Sequence, residues 1–292
     1  MSRGEQFSYW LQALLARGVM GGLGLLPLDA ASWFGGFLAR RVGRLTAAQQ
    51  TAAKNLALAF PEKSAAEIGK ILDGMWDNIG RTLAEYPHLG RLAKDVERVL
   101  ISDPGGMTDR MREDGIGGLL LGMHGANWEL SALPSARADM RARHFYRAPN
   151  NPYVDAMLAK YRRAIGPEGF IRKGSAGARE ALQLLRGGGH IGMLVDQKQD
   201  EGITVPFFGR DAMTTTAPAT FARRMNLPIG AARVVRLKGA YFRIFVEEVP
   251  VEKTADRDAD IVATTRRISA MVERWIREHP EQWFWVHRRW PK

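Results

Sequence analysis

The chain has 292 residues, 46% hydrophobic and 25% charged, a composition that builds a globular core and excludes extended disorder. It has no cysteine, which removes disulfide frameworks, thiolate zinc sites and cysteine nucleophiles and fits a cytoplasmic-side protein. Lys and Arg number 42 against 31 Asp and Glu, a formal net charge of +11, so the expected partners are polyanions: nucleic acid, anionic lipid or an acidic protein.

The first segment, "FSYWLQALLARGVMGGLGLLPLDAASWFGGFLARRVGRL", is rich in Leu, Ala, Gly and aromatics and ends in Arg40, Arg41 and Arg44. Pro27 and Asp29 interrupt it. The uncharged run from Gly18 to Leu28 is too short to cross ~30 Å of hydrocarbon as a helix. No convincing signal-peptide cleavage site follows. The pattern predicts two helices joined at "LPLD", lying in a membrane interface with Trp10 and Trp33 at headgroup depth. A buried helical pair of a soluble core is the alternative. The arginines beside the apolar part favour the membrane.

Residues 46–90 read as helical. "AAQQTAAKNLALAF" stops at Pro61, and Ser64 with Glu67 forms a capping box for the next helix. From about residue 115 short apolar runs alternate with helical patterns. "GGLLLGM", "RHFY", "HIGMLV", "PIGAARVV" and "YFRIFVEEV" predict strands. "VDAMLAKYRRAI", "AGAREALQLLRG", "APATFARRMN" and "DADIVATTRRISAMVERWIREH" predict helices. This alternation predicts an α/β fold, a central sheet covered by helices. The division expected is a helical membrane-associating segment over 1–45 and one α/β domain over 46–292.

The strand-like run "GGLLLGM" ends in His124, and Glu129 follows five residues later. Open α/β sheets place ligands at the carboxyl ends of their strands. Asn127 is a plausible N-cap for a helix from Trp128, which puts Glu129 in the first turn. A carboxylate there can orient the imidazole and leave the other ring nitrogen free to take a proton. Chance also produces a His-x4-Glu spacing in a chain of this composition, so the spacing alone leaves both readings open. Gly122 and Gly125 flank His124 and allow close approach of a substrate. Rival chemistries lack their motifs: there is no phosphate-binding Gly-x-x-x-x-Gly-Lys-Ser/Thr loop and no His-Glu-x-x-His helix, and "KGSAG" around Ser175 lacks the first glycine of a nucleophile elbow. No metal, nucleotide or other cofactor is expected. With no nucleophile in view, direct attack by a substrate hydroxyl is the natural use of a His/Glu pair.

"GMHGANWEL" resembles the His-x4-Asp/Glu block of the glycerolipid acyltransferase superfamily. More narrowly, the chain resembles the late lipid A acyltransferases, the lauroyl/myristoyl transferases of Gram-negative bacteria. "KNLALAFPE" (54–62), "FYRAPNNPYVDAMLAKYRR" (145–163), "GMLVDQKQDEGITVPFFG" (192–209) and "HPEQWFWVHRRW" (279–290) match further blocks in family order. Ala148 stands where the family commonly has proline. The resemblance implies a mixed, mostly parallel sheet of the glycerol-3-phosphate acyltransferase type. It also implies an enzyme on the cytoplasmic face of the inner membrane, taking an acyl chain from acyl carrier protein to a hydroxyl of an anionic lipid A precursor. In that reading His124 deprotonates the hydroxyl, Glu129 orients His124, and Arg162 stabilises the oxyanion. Arg147 and Arg179 are candidates to meet phosphate. Asp196 and Asn127 are candidates to shape the substrate pocket, and Asp196 serves equally well as a structural residue. The C-terminal aromatics and Arg288/Arg289 read as core packing plus an interface anchor. Coenzyme A as donor, another lipid acceptor such as a lysophospholipid, glycolipid or ornithine lipid, and a non-enzymatic basic protein binding membrane or nucleic acid are the alternatives, nucleic acid being the least expected partner.

Overall fold

The computed structural model describes residues 2–166, 169–172, 174–199 and 201–290. The chain opens with α1 (Arg3–Leu25), α2 (Leu28–Val42), α3 (Ala47–Ala59), α4 (Ala65–Glu85) and α5 (Leu89–Lys94). Then follow β1 (Val99–Ser102), α6 (Met107–Glu113), β2 (Gly118–Gly122), a 3₁₀ turn (Trp128–Ala132), α7 (Leu133–Arg137) and β3 (Ala142–Tyr146). Next are α8 (Pro152–Arg163), β4 (Phe170–Arg172), α9 (Ser175–Arg186), β5 (His190–Leu194), β6 (Ile203–Phe207) and β7 (Arg210–Thr214). The chain closes with α10 (Ala217–Met225), β8 (Ile229–Lys238), β9 (Tyr241–Glu248) and α11 (Arg257–Glu278).

Seven strands form one sheet in the order β1-β9-β8-β2-β5-β3-β4, and β6 and β7 pair as a separate hairpin. Within the large sheet only β8/β9 is antiparallel; the other pairings are parallel. The expected mixed, mostly parallel α/β architecture is what the chain adopts. β2 sits centrally between β5 and β8 and is apolar along its length, as a strand covered on both faces must be. Its register with β5 pairs Gly122 with Leu194. The chain leaving each of those residues therefore emerges side by side at one edge of the sheet.

Two apolar layers hold the sheet. One joins Leu119, Leu121, Ile191 and Ile229 to α3, α4, α11 and Trp283, Trp285 and Trp290. The other joins Phe242, Ile244 and Val234 to Tyr86, Leu89, Leu130 and Leu28. Each fully buried Leu or Ile contributes roughly 1.5–3 kcal/mol relative to exposure.

The capping box expected at Ser64 is present: its hydroxyl accepts from the Glu67 amide, and the Glu67 carboxylate accepts from the Ser64 amide. α2 crosses α4 where both lack a side chain. A Cβ on Gly35 would fall 2.3 Å from the Gly80 carbonyl oxygen. α2 thus buries Leu28, Ala31 and Ser32, while α1 leaves Phe7, Trp10, Leu11, Leu14, Leu15 and Val19 exposed. Trp33, Phe34, Leu38 and Val42 extend that exposed apolar face along α2. Among the described residues no helix is long and apolar enough to cross a membrane.

Candidate active site

His124 lies two residues beyond the end of β2, and Asp196 two residues beyond the end of β5. The Gly122–Leu194 register brings them together. The carboxylate of Asp196 can only accept hydrogen bonds. It takes one from His124 Nδ1–H at 2.8 Å and one from the His124 backbone amide at 2.9 Å. A third comes from the Trp283 indole N–H at 2.7 Å. Burial pushes the Asp196 carboxyl up, but the His124 imidazole, its hydrogen bonds and the neighbouring His287 outweigh this and hold it below the usual range. Asp196 is therefore a buried anion that fixes the tautomer of His124 and leaves Nε2 as the basic nitrogen. Gln197 places its amide nitrogen 3.4 Å from Nε2. The rings of Trp128 and Phe284 flank the imidazole at 5.7 and 6.2 Å between centroids.

The turn carrying His124 is bent and held from several directions. Ala126 has φ of 48°, a left-handed conformation uncommon for a residue with a Cβ. Its amide donates to the Gln282 carbonyl, and its carbonyl accepts from Thr82 Oγ1 and Asn78 Nδ2. The Phe284 amide donates to the His124 carbonyl. The C-terminal block from Pro280 to Trp290 is thus packed against the His124 turn.

Glu129 does not orient His124, contrary to the expectation from its spacing; Asp196 holds that position. From the 3₁₀ turn Glu129 reaches α8 instead. Its carboxylate accepts Arg162 Nε at 2.8 Å and Nη2 at 2.7 Å, a two-point pair. Oε1 also accepts the Tyr86 hydroxyl at 2.5 Å and the Trp128 indole at 3.2 Å. Burial, with Glu129 next, raises the Tyr86 pKa far above its ordinary value, so the hydroxyl is a donor at all working pH. Burial disfavours the Arg162 charge, but Glu129 more than compensates and its pKa is raised.

The remaining expected residues are scattered by the fold. Asn127 is fully buried and donates to Glu85 Oε2 at 2.8 Å. It makes no side-chain cap, and it is inside the protein where a pocket-lining residue was expected. Arg147 is exposed just past β3, and Arg179 is exposed on α9. Arg289 is 1% exposed and donates to the Met213 carbonyl and Thr214, so it braces the β6–β7 hairpin and is no interface anchor. Arg172, which sequence reasoning missed, ends β4 at the same sheet edge as His124 and Asp196, bonded to Tyr146 and Asp155. Tyr86 and Trp283 were missed as well. From the sequence both read as ordinary aromatic core residues, and only the fold shows what their polar atoms meet.

Comparison with known proteins identifies the family. The model of the bacterial lipid A biosynthesis acyltransferase family matches residues 3–292. The chain is 24% identical over 284 residues to lipid A biosynthesis acyltransferase 2 of Shigella flexneri, covering 95% of this chain and 88% of that protein. It is 26% identical over 287 residues to the lipid A biosynthesis myristoyltransferase of Escherichia coli (strain K12), covering 95% and 86%. Lipid A biosynthesis acyltransferase 1 of Shigella flexneri gives the same identity and coverage. Matched by one family model over residues 3–292, this protein is an acyltransferase that belongs to the bacterial lipid A biosynthesis acyltransferase family.

Proposed function

We propose that the protein transfers a fatty acyl chain from acyl carrier protein to a hydroxyl of a lipid A precursor, at the cytoplasmic face of the inner membrane. His124 Nε2 removes the proton of the acceptor hydroxyl. The oxygen attacks the thioester carbonyl, forming the new C–O bond and a tetrahedral oxyanion. Collapse breaks the C–S bond, and the departing thiolate takes the proton back from His124. Asp196 orients the ring and stabilises the imidazolium. General-base catalysis of this kind supplies about 10²–10⁴ in rate. Glu129 works through Arg162, holding the guanidinium by two hydrogen bonds so that Arg162 meets the developing oxyanion.

The two hydrogen bonds that His124 donates to Asp196, from Nδ1 and from its backbone amide, are the observation that carries this reading. The exposed apolar face of α1 and α2 supports a monotopic membrane position. The net charge of +11 suits an acidic carrier and an anionic glycolipid, with Arg147 and Arg179 the residues proposed to meet phosphate. The test is incubation of purified protein with dodecanoyl or tetradecanoyl carrier protein and an under-acylated lipid A precursor, read by mass spectrometry. Gain of one acyl chain on the precursor is expected. Acylation of a lysophospholipid in its place would move the acceptor to another lipid class, and equal rates with acyl-coenzyme A would remove the carrier from the account.

A further inference from the structure

Behind the His124 turn lies a buried carboxylate that the transfer chemistry does not use. Glu85, at the end of α4, is fully buried. Its Oε1 accepts Ser32 Oγ at 2.7 Å and Arg236 Nη1 at 2.5 Å. Its Oε2 accepts Arg236 Nη2 at 3.1 Å and Asn127 Nδ2 at 2.8 Å. One carboxylate thus ties α2, β8 and the His124 turn together. Arg236 extends the same contact: Nε donates to Asn78 Oδ1 at 2.9 Å and Nη2 to Thr82 at 3.1 Å. Asn78 and Thr82 are the two side chains that hold the Ala126 carbonyl. The Arg236 backbone exchanges two hydrogen bonds with the Gln282 side chain, and the Gln282 carbonyl accepts the Ala126 amide.

We propose that Glu85 is a positioning residue for acyl transfer: with Arg236 it holds Asn127 and Ala126, and so sets where His124 stands. A buried ion pair is a poor device for stability alone, since apolar residues of similar volume are often equally stable or better. Here the pair supplies what apolar residues cannot, namely directional bonds to a turn whose left-handed residue needs outside support. The proposal rests on the reading of His124 as the base.

The experiment compares wild type, Glu85→Leu/Arg236→Met and Asn127→Ala in the acyl-transfer assay, with amide hydrogen exchange on the same proteins. The double variant leaves no buried charge unpaired. We expect it to melt close to wild type, to lose about 10–100-fold in kcat with KM within about twofold, and to exchange the amides of residues 124–128 at least tenfold faster while β5 and α11 are unchanged. Asn127→Ala keeps the ion pair and cuts only its link to the turn, so it is expected to show the same split to a lesser degree, including where the double variant fails to fold. Wild-type kcat and wild-type exchange at residues 124–128 in a folded variant would overturn the proposal. The exchange measurement stands apart from catalysis: a wild type without transferase activity sinks the functional reading, while slow exchange in the variants sinks the positioning role.

Discussion

Asp196 holds His124 by two hydrogen bonds at once, one to the imidazole Nδ1 and one to the backbone amide of the same residue. The side chain cannot rotate without losing one bond, and the backbone cannot shift without losing the other. Asp196→Asn keeps the shape and removes the charge, and its amide cannot accept at both positions as the carboxylate does. We expect a loss of about 10²–10⁴ in kcat with substrate KM little changed, measured by steady-state transfer. A variant that loses affinity and keeps kcat would assign Asp196 to substrate binding.

Tyr86 bonds Glu129 and Arg162 through its hydroxyl, while its ring packs in the core and lies 6.0 Å from the Arg162 guanidinium. Tyr86→Phe keeps the packing. Hydrogen bonds to charged groups contribute about 1.5–3 kcal/mol, so urea unfolding should show a loss of that order with an unchanged m-value. Activity should fall less than in Arg162→Met, which leaves Glu129 buried and unpaired.

Much of this arrangement was legible in the sequence. The apolar runs at 117–123 and 190–195 are strands because they are covered on both faces, and His124 was found because it ends one of them. Asp196 ends the other, but its pairing with His124 depends on β5 lying beside β2, and strand order is a non-local property. Glu129 was assigned to His124 from spacing. The 3₁₀ turn and the left-handed Ala126 direct it toward Arg162 instead, and local periodicity carries no sign of that bend. β1, β4 and the β6–β7 hairpin were missed because their short runs lack an apolar period long enough to register.

His144 lies on β3 against Gly192, where an added Cβ would fall 2.0 Å from its Nδ1. Burial pushes its pKa down to about 4, against a smaller upward pull from Glu129. Above about pH 6.5 the residue is neutral in both folded and unfolded chains. Between about 6.5 and 4 the unfolded chain binds a proton that the folded one refuses, so stability falls as pH falls, by up to about 3 kcal/mol. His190 and His287 are pushed down by burial as well and act in the same direction. Urea unfolding at pH 7 and 4.5 should therefore show a smaller pH dependence in His144→Met than in wild type; equal dependence in both would remove His144 from the balance.

Of the arginines beside the N-terminal apolar face, Arg40 and Arg44 are paired with Asp77 and Asp73 of α4, and Arg41 lies 3.7 Å over the Phe37 ring. In the proposed membrane position, these internal contacts weaken headgroup attraction through the three arginines, and apolar burial should dominate binding. Replacing Phe7, Trp10, Leu14 and Trp33 by serine should release the protein from anionic vesicles in flotation. Raising salt, which shortens the screening length from about 8 to 3 Å, should weaken wild-type binding only modestly. Complete release by salt would point to charge as the anchor.

The most direct measurement is turnover of His124→Ala with acyl carrier protein donor and lipid A precursor, alongside its circular dichroism and melting curve. The side chain is 20% exposed and stands between Trp128 and Phe284, and without it Asp196 keeps its bonds from the residue-124 backbone amide and the Trp283 indole, so the fold should persist. A folded protein with transfer reduced by about 10²–10⁴ is expected. A folded His124→Ala with wild-type turnover would contradict it.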